Sequence, residues 1–120
     1  MSEFKPAAVK PPISLDDLSR LDIRVGTIVK VRAVAGSKKL VQLIVSFGDH
    51  ERRILAGMKG ERDDPGEIEG LQALFLVNLE PKEMAGEISE GMVLDIGYED
   101  GLVPVLALPE RPVPPGARLG

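Results

Sequence analysis

The 120-residue chain contains no cysteine and no tryptophan, and has one histidine, one tyrosine and three phenylalanines. Without cysteine there is no disulfide framework and no thiolate metal site. With His50 alone, a histidine relay lacks a second member and an imidazole zinc site lacks its ligands. No apolar run approaches the roughly 18 residues of a membrane span. The opening "MSEFKPAAVKPP" also lacks the apolar stretch of a signal peptide. The expectation is a soluble, cytoplasmic protein with no membrane partner. "GMKG" matches neither a phosphate-binding loop nor a dinucleotide fingerprint. The acids of "ERDD" and "EIE" do not have calcium-loop spacing. No cofactor, no metal and no catalysis are expected.

The scarcity of aromatics bears on ligand chemistry. Single-stranded nucleic acids are commonly bound by stacking bases on aromatic rings, and here only Phe4, Phe47, Phe75 and Tyr98 are available. Phe47 and Phe75 lie in apolar strand patterns and are expected in the core. Recognition of a nucleic acid would therefore fall to Arg and Lys on the backbone, with polar groups and methionine thioethers touching exposed bases. Net charge is -4, which alone disfavours such a ligand. Its distribution is uneven. From Arg20 to Gly60 there are nine basic residues against three acids, and from Glu61 to Asp100 two against twelve. Such asymmetry can leave a basic face on an acidic protein.

Residues 1–12 hold three prolines and few large apolar groups, and are expected to form a flexible tail ahead of a domain spanning 13–120. "SLDDLSRL" predicts a short helix, capped by Ser14, with Leu15, Leu18 and Leu21 on one side. Its brevity requires that it dock on something. From Ile23 the period changes to that of strands. In "IRVGTIVKVRAV" the basic Arg24, Lys30 and Arg32 share one parity, Ile28 and Val34 break the alternation, and Gly26 points to a bulge or tight bend. "LVQLIVSF" and "RRILAG" continue a meander, one helical turn is expected after Pro65, and "LQALFLVNL" is a central strand. "MVLDIG" and "LVPVLAL" form a hairpin across "YEDG", with Pro104 at an edge. "RPVPPGARLG" is either a disordered tail or an extended arm against a partner. Strands with glycine bends after a short helix point to a small all-β, five-stranded Greek-key barrel of the OB type.

Three stretches are more specific. "LDIRVGTIVKV", then "GSKKL", then "NLEPKEMAGEISEGM" resemble the tRNA-binding OB-fold domain. That domain occurs at the C-terminus of many methionyl-tRNA synthetases and as free-standing homodimeric tRNA-binding proteins. It also occurs in a cytokine-like synthetase-associated polypeptide and in a related bacterial secretion chaperone. The resemblance runs from about Ile13 to Leu119 and implies the barrel, a tRNA partner, an aminoacyl-tRNA synthetase as a possible associate, and no catalysis. It further implies a homodimer, with the N-terminal helix and a C-terminal extension at the contact.

The same resemblance supplies the candidate site. Arg24, Lys38, Lys39, Arg52 and Lys82 would meet phosphates. Asn78, Ser89, Gly91 and Met92, in the segment that leaves one barrel strand and enters the next, would border the RNA. Lys38 stands where the family usually has Asp and adds positive charge. Glu83 and Ala85 fall where many members carry Lys or Arg, and "ERDDPGEIEG" is unusually acidic. Those departures leave room for an alternative, a chaperone-like peptide-binding homodimer on the same fold, and for a scaffolding subunit that docks on a synthetase.

Overall fold

Ser14 opens the α-helix α1 (Leu15–Ser19): its Oγ accepts from the Asp17 N–H at 3.1 Å, and Asp16 and Asp17 occupy the first turn. The computed structural model describes residues 4–120, of which 4–12 are exposed and without regular structure. The expected tail thus lies partly outside the described residues. One expectation is not met within a single chain: α1 covers nothing, and Leu15 is 82% exposed and Leu18 50%.

Strands β1 (Ile23–Ala33), β2 (Val41–Ser46) and β3 (Glu51–Ala56) form the expected antiparallel meander. A 3-10 turn at Pro65–Ile68, capped by the Asp64 carboxylate, drives Ile68 into the core. β4 (Gln72–Leu76) then returns beside β1, giving the Greek-key order β4-β1-β2-β3. The chain continues through the hairpin β5 (Lys82–Met84) and β6 (Glu87–Ser89) to β7 (Met92–Val93), which pairs with β4 and completes a five-stranded sheet. A last ribbon joins β8 (Asp95–Ile96) to β9 (Val105–Leu106). The sheet curls around Ile28, Leu43, Val45, Ile54, Ile68 and Phe75, all fully buried. Phe47 packs edge-on against Phe75, ring centroids 5.6 Å apart.

The parity of β1 corrects the sequence reading. Its register slips between Ile28 and Lys30, so the bulge sits at Val29 and not at Gly26. Before the slip, Arg24 lies opposite Phe75 and Gly26 opposite Ala73, both core residues; after it, Lys30 lies opposite half-buried Ile44. Arg24 is therefore on the inward row, at the end of the barrel, whereas Lys30 and Arg32 point outward. Gly26 is required by packing. A Cβ there would sit 2.4 Å from Val45 Cγ1 and 2.9 Å from Phe47 Cε1.

Closure between β3 and the β6–β7 link is not a regular ladder. The Glu90 N–H donates to the Arg53 carbonyl (2.8 Å), the Arg53 N–H to Glu90 Oε1 (2.9 Å) and the Leu55 N–H to Ser89 Oγ (2.9 Å). The C-terminal segment is an arm laid on its own barrel. Gly116 donates to the Val25 carbonyl (2.7 Å), Val25 to Ala117 (2.9 Å) and Leu119 to Ile23 (2.8 Å). The Gln72 amide clasps both backbone groups of Val113.

Candidate nucleic-acid interface

In OB barrels ligands lie on the face of the second and third strands, between the β1–β2 loop and the loop preceding the last barrel strand. In this chain those loops are residues 34–40 and the β5–β6 hairpin. The first is held from two sides. Ser37 Oγ accepts from the Leu40 N–H (2.9 Å), Lys59 Nζ donates to the Ser37 carbonyl (2.9 Å) and the Lys59 N–H donates to that of Lys39 (3.1 Å). Lys38 and Lys39 stand exposed on this fixed loop with no acidic partner among the described residues. Lys82 is exposed on the hairpin across the face.

Between the loops lies a row that sequence reasoning did not select. Lys30, Ile44 and Arg53 are register partners across β1, β2 and β3, and Arg32 follows Lys30 on the same parity. Arg32 and Arg53 border one shallow groove with Glu90. The β1 pair was visible in the parity of its basic residues. Arg53 was not separable from Arg52, because Ile54, Leu55 and Ala56 are all buried and "RRILAG" has no alternation.

The other predicted residues divide by what they touch. Met92 is 44% exposed and shares with Lys39 a larger groove of about 670 Å³, which also reaches Met58 and Tyr98. Ser89 is buried, its hydroxyl accepting from Leu55 and donating to the Gly91 carbonyl (2.9 Å). A Cβ at Gly91 would lie 2.9 Å from the Leu76 carbonyl oxygen. Asn78 accepts from the Asp22 N–H (2.9 Å) and donates to the Arg20 carbonyl (2.7 Å), tying the α1–β1 link to the end of β4. Arg52 donates to the Val77 and Glu90 carbonyls at 2.9 and 3.1 Å. Arg24 forks onto Asp22 at 2.9 and 3.1 Å, and that guanidinium holds the Asp22 carboxyl below its ordinary range. Lys38 and Lys39 are thus exposed on the β1–β2 loop, Lys82 on the β5–β6 hairpin and Met92 in the groove it shares with Lys39, while Arg24, Arg52 and Asn78 fasten the barrel's end.

No helix among the described residues is long and apolar enough to cross a membrane. A family model described as "Putative tRNA binding domain" matches residues 23–118. The chain is 42% identical over 110 residues, 92% of its length, to the methionine–tRNA ligase of Archaeoglobus fulgidus, of which it spans 16%. It thus spans about one-sixth of the length of the curated relatives it matches. The crystal structure of a MetRS related protein from Pyrococcus horikoshii superposes with a TM-score of 0.83 at 35% identity, covering 92% of this chain and 100% of that one. The chaperone CsaA from Bacillus anthracis gives 0.80 at 28% identity, covering 92% and 100%. The family match spans all five strands of the sheet and the loops between them, and the chain belongs to the tRNA-binding domain family.

Proposed function

We propose that this chain is a non-catalytic, cytoplasmic tRNA binder that reads shape and backbone, alone or in trans with a methionyl-type synthetase. The observation that carries this reading is the set of basic groups around the OB ligand face. Lys30, Arg32, Lys38, Lys39, Arg53 and Lys82 have no acidic side-chain partner among the described residues, in a protein of net charge -4. Such a grouping is complementary to a polyanion. In this reading Lys38, Lys39, Lys82 and Met92 touch RNA. Arg24, Arg52, Asn78, Ser89 and Gly91 shape the surface that they border. Changing Lys38 and Lys39 together to Ala should weaken tRNA binding and flatten the log-affinity against log-salt line by about 1.4–1.8, at roughly 0.7–0.9 per phosphate contact. An unchanged slope with the fold intact contradicts the assignment of that loop.

We further propose a homodimer, with residues 13–120 as one domain. Leu15, Leu18 and Leu21 of the α1 region are half or more exposed, or nearly so, and with Leu119 of the arm they line a groove of about 980 Å³. A second copy would cover that apolar surface. Sedimentation should give a dimer that Leu15→Glu with Leu18→Glu converts to a folded monomer; a monomeric wild-type chain contradicts the proposal. The likeness to CsaA, titled a chaperone, favours a second reading as a peptide binder. Its affinity would change little with salt.

A further inference from the structure

The groove lined by the end of β3 and the loop after it (55–62), by residues of the 92–106 segment and by Lys39 has chemistry of its own. Its volume, about 670 Å³, lies in the range of roughly 300–1,000 Å³ typical of small-ligand sites. Tyr98 stands at its rim, 64% exposed, on a short turn fixed by its neighbours. Gly97 and Gly101 bracket that turn at φ 105° and 73°, and the Gly97 carbonyl accepts from Asp100 (3.0 Å) and Leu102 (2.9 Å). A large ring is thus left mostly in solvent on a hydrogen-bonded backbone turn. Met58 and Met92 supply polarizable apolar contacts. Lys39, without an acidic partner, and Arg62, bridged to Glu67 at 2.8 Å, line the groove together with the carboxyls of Glu61, Asp95 and Glu99, none of which forms a salt bridge among the described residues. Burial pushes the Glu61 carboxyl up and the Asp95 charge adds to the effect, while the neighbouring Arg62 acts against both. Hydrogen-bond donors entering between these carboxyls would relieve the repulsion.

We propose that this groove takes one unstacked RNA base that carries an exocyclic amine, stacked on Tyr98 against Met92. The amine would face Asp95 and Glu61, and the adjoining phosphate would lie on Lys39. Charge complementarity selects this occupant. A nucleotide presents an anion at one end and amino donors at the other, and this groove offers the unpaired Lys39 to the first and the carboxyls of Glu61, Asp95 and Glu99 to the second. The inference rests on the tRNA reading and specifies which group of the RNA enters. Uracil, which has no amine, is disfavoured.

Tyr98 is the chain's only tyrosine and there is no tryptophan, so its ring resonances report this groove alone. Adenine and cytosine tetranucleotides should shift those resonances upfield, and the uracil tetranucleotide should not. Asp95→Asn should reduce that discrimination. With intact tRNA, Tyr98→Ala should lose roughly 5- to 150-fold in affinity, as expected for one stacked base, without changing the salt slope. Tyr98→Phe should bind as wild type. If wild type binds tRNA with a steep salt slope but Tyr98→Ala binds equally well, the groove is not a base site and the tRNA reading stands. If wild type does not bind tRNA, that reading fails and this inference with it.

Discussion

Ser89 is 3% exposed, and its hydroxyl both accepts from the Leu55 N–H and donates to the Gly91 carbonyl. These bonds join β3 to the β6–β7 link, at a place where no regular ladder forms. Removing the hydroxyl leaves a buried N–H without a partner, which typically costs about 1–3 kcal/mol. Ser89→Ala should therefore lower the unfolding free energy by that amount, read as a lower urea midpoint, while leaving the tRNA salt slope of the folded protein unchanged. A slope that fell with stability unaltered would make Ser89 a ligand contact instead. The sequence marked Ser89 and Gly91 as special but could not assign their task. A serine that holds a strand and one that holds a phosphate look alike until its partners are known. Arg24 was misplaced for a different reason. Its parity was counted through Val29, and the bulge there reverses which side of β1 faces the core.

Among the elements, the β5–β6 hairpin has one strained residue. Its two-residue turn places Ala85 at φ 51° and Gly86 at φ 81°, the pattern of a type I′ turn. A left-handed alanine costs about 1–2 kcal/mol, whereas asparagine tolerates that conformation. Ala85→Asn should raise stability by several tenths to about 1 kcal/mol, read as a higher midpoint in denaturant. A lower midpoint would mean that the turn is not type I′ in solution. Much of the element plan was legible: the Ser14 cap, the meander, the turn after Pro65 and the pairing of the last two strands all follow from local chemistry. Two things were not. "MVLDIG" divides between two sheets at Leu94, whose N–H goes to the Leu74 carbonyl while its own carbonyl accepts from Ala107. The C-terminal arm depends on an open edge of β1, which only the folded sheet defines.

For the molecule as a whole, the proposed reading rests on the strands and loops from Arg20 to Gly60, which carry Lys30, Arg32, Lys38, Lys39 and Arg53 without salt bridges among the described residues in a chain of net charge -4. The charge asymmetry was readable in sequence. Its focus on one face was not, because windows of sequence map onto faces only through strand register. The central claim is that this face binds tRNA by its phosphates and shape. The most direct test is the affinity for unfractionated tRNA against duplex RNA of equal length, measured across a series of salt concentrations. We predict a preference for tRNA, with log affinity falling linearly in log salt at a slope worth several phosphates, roughly 0.7–0.9 each. Absence of binding at low salt, or affinity that is indifferent to salt, would contradict the account.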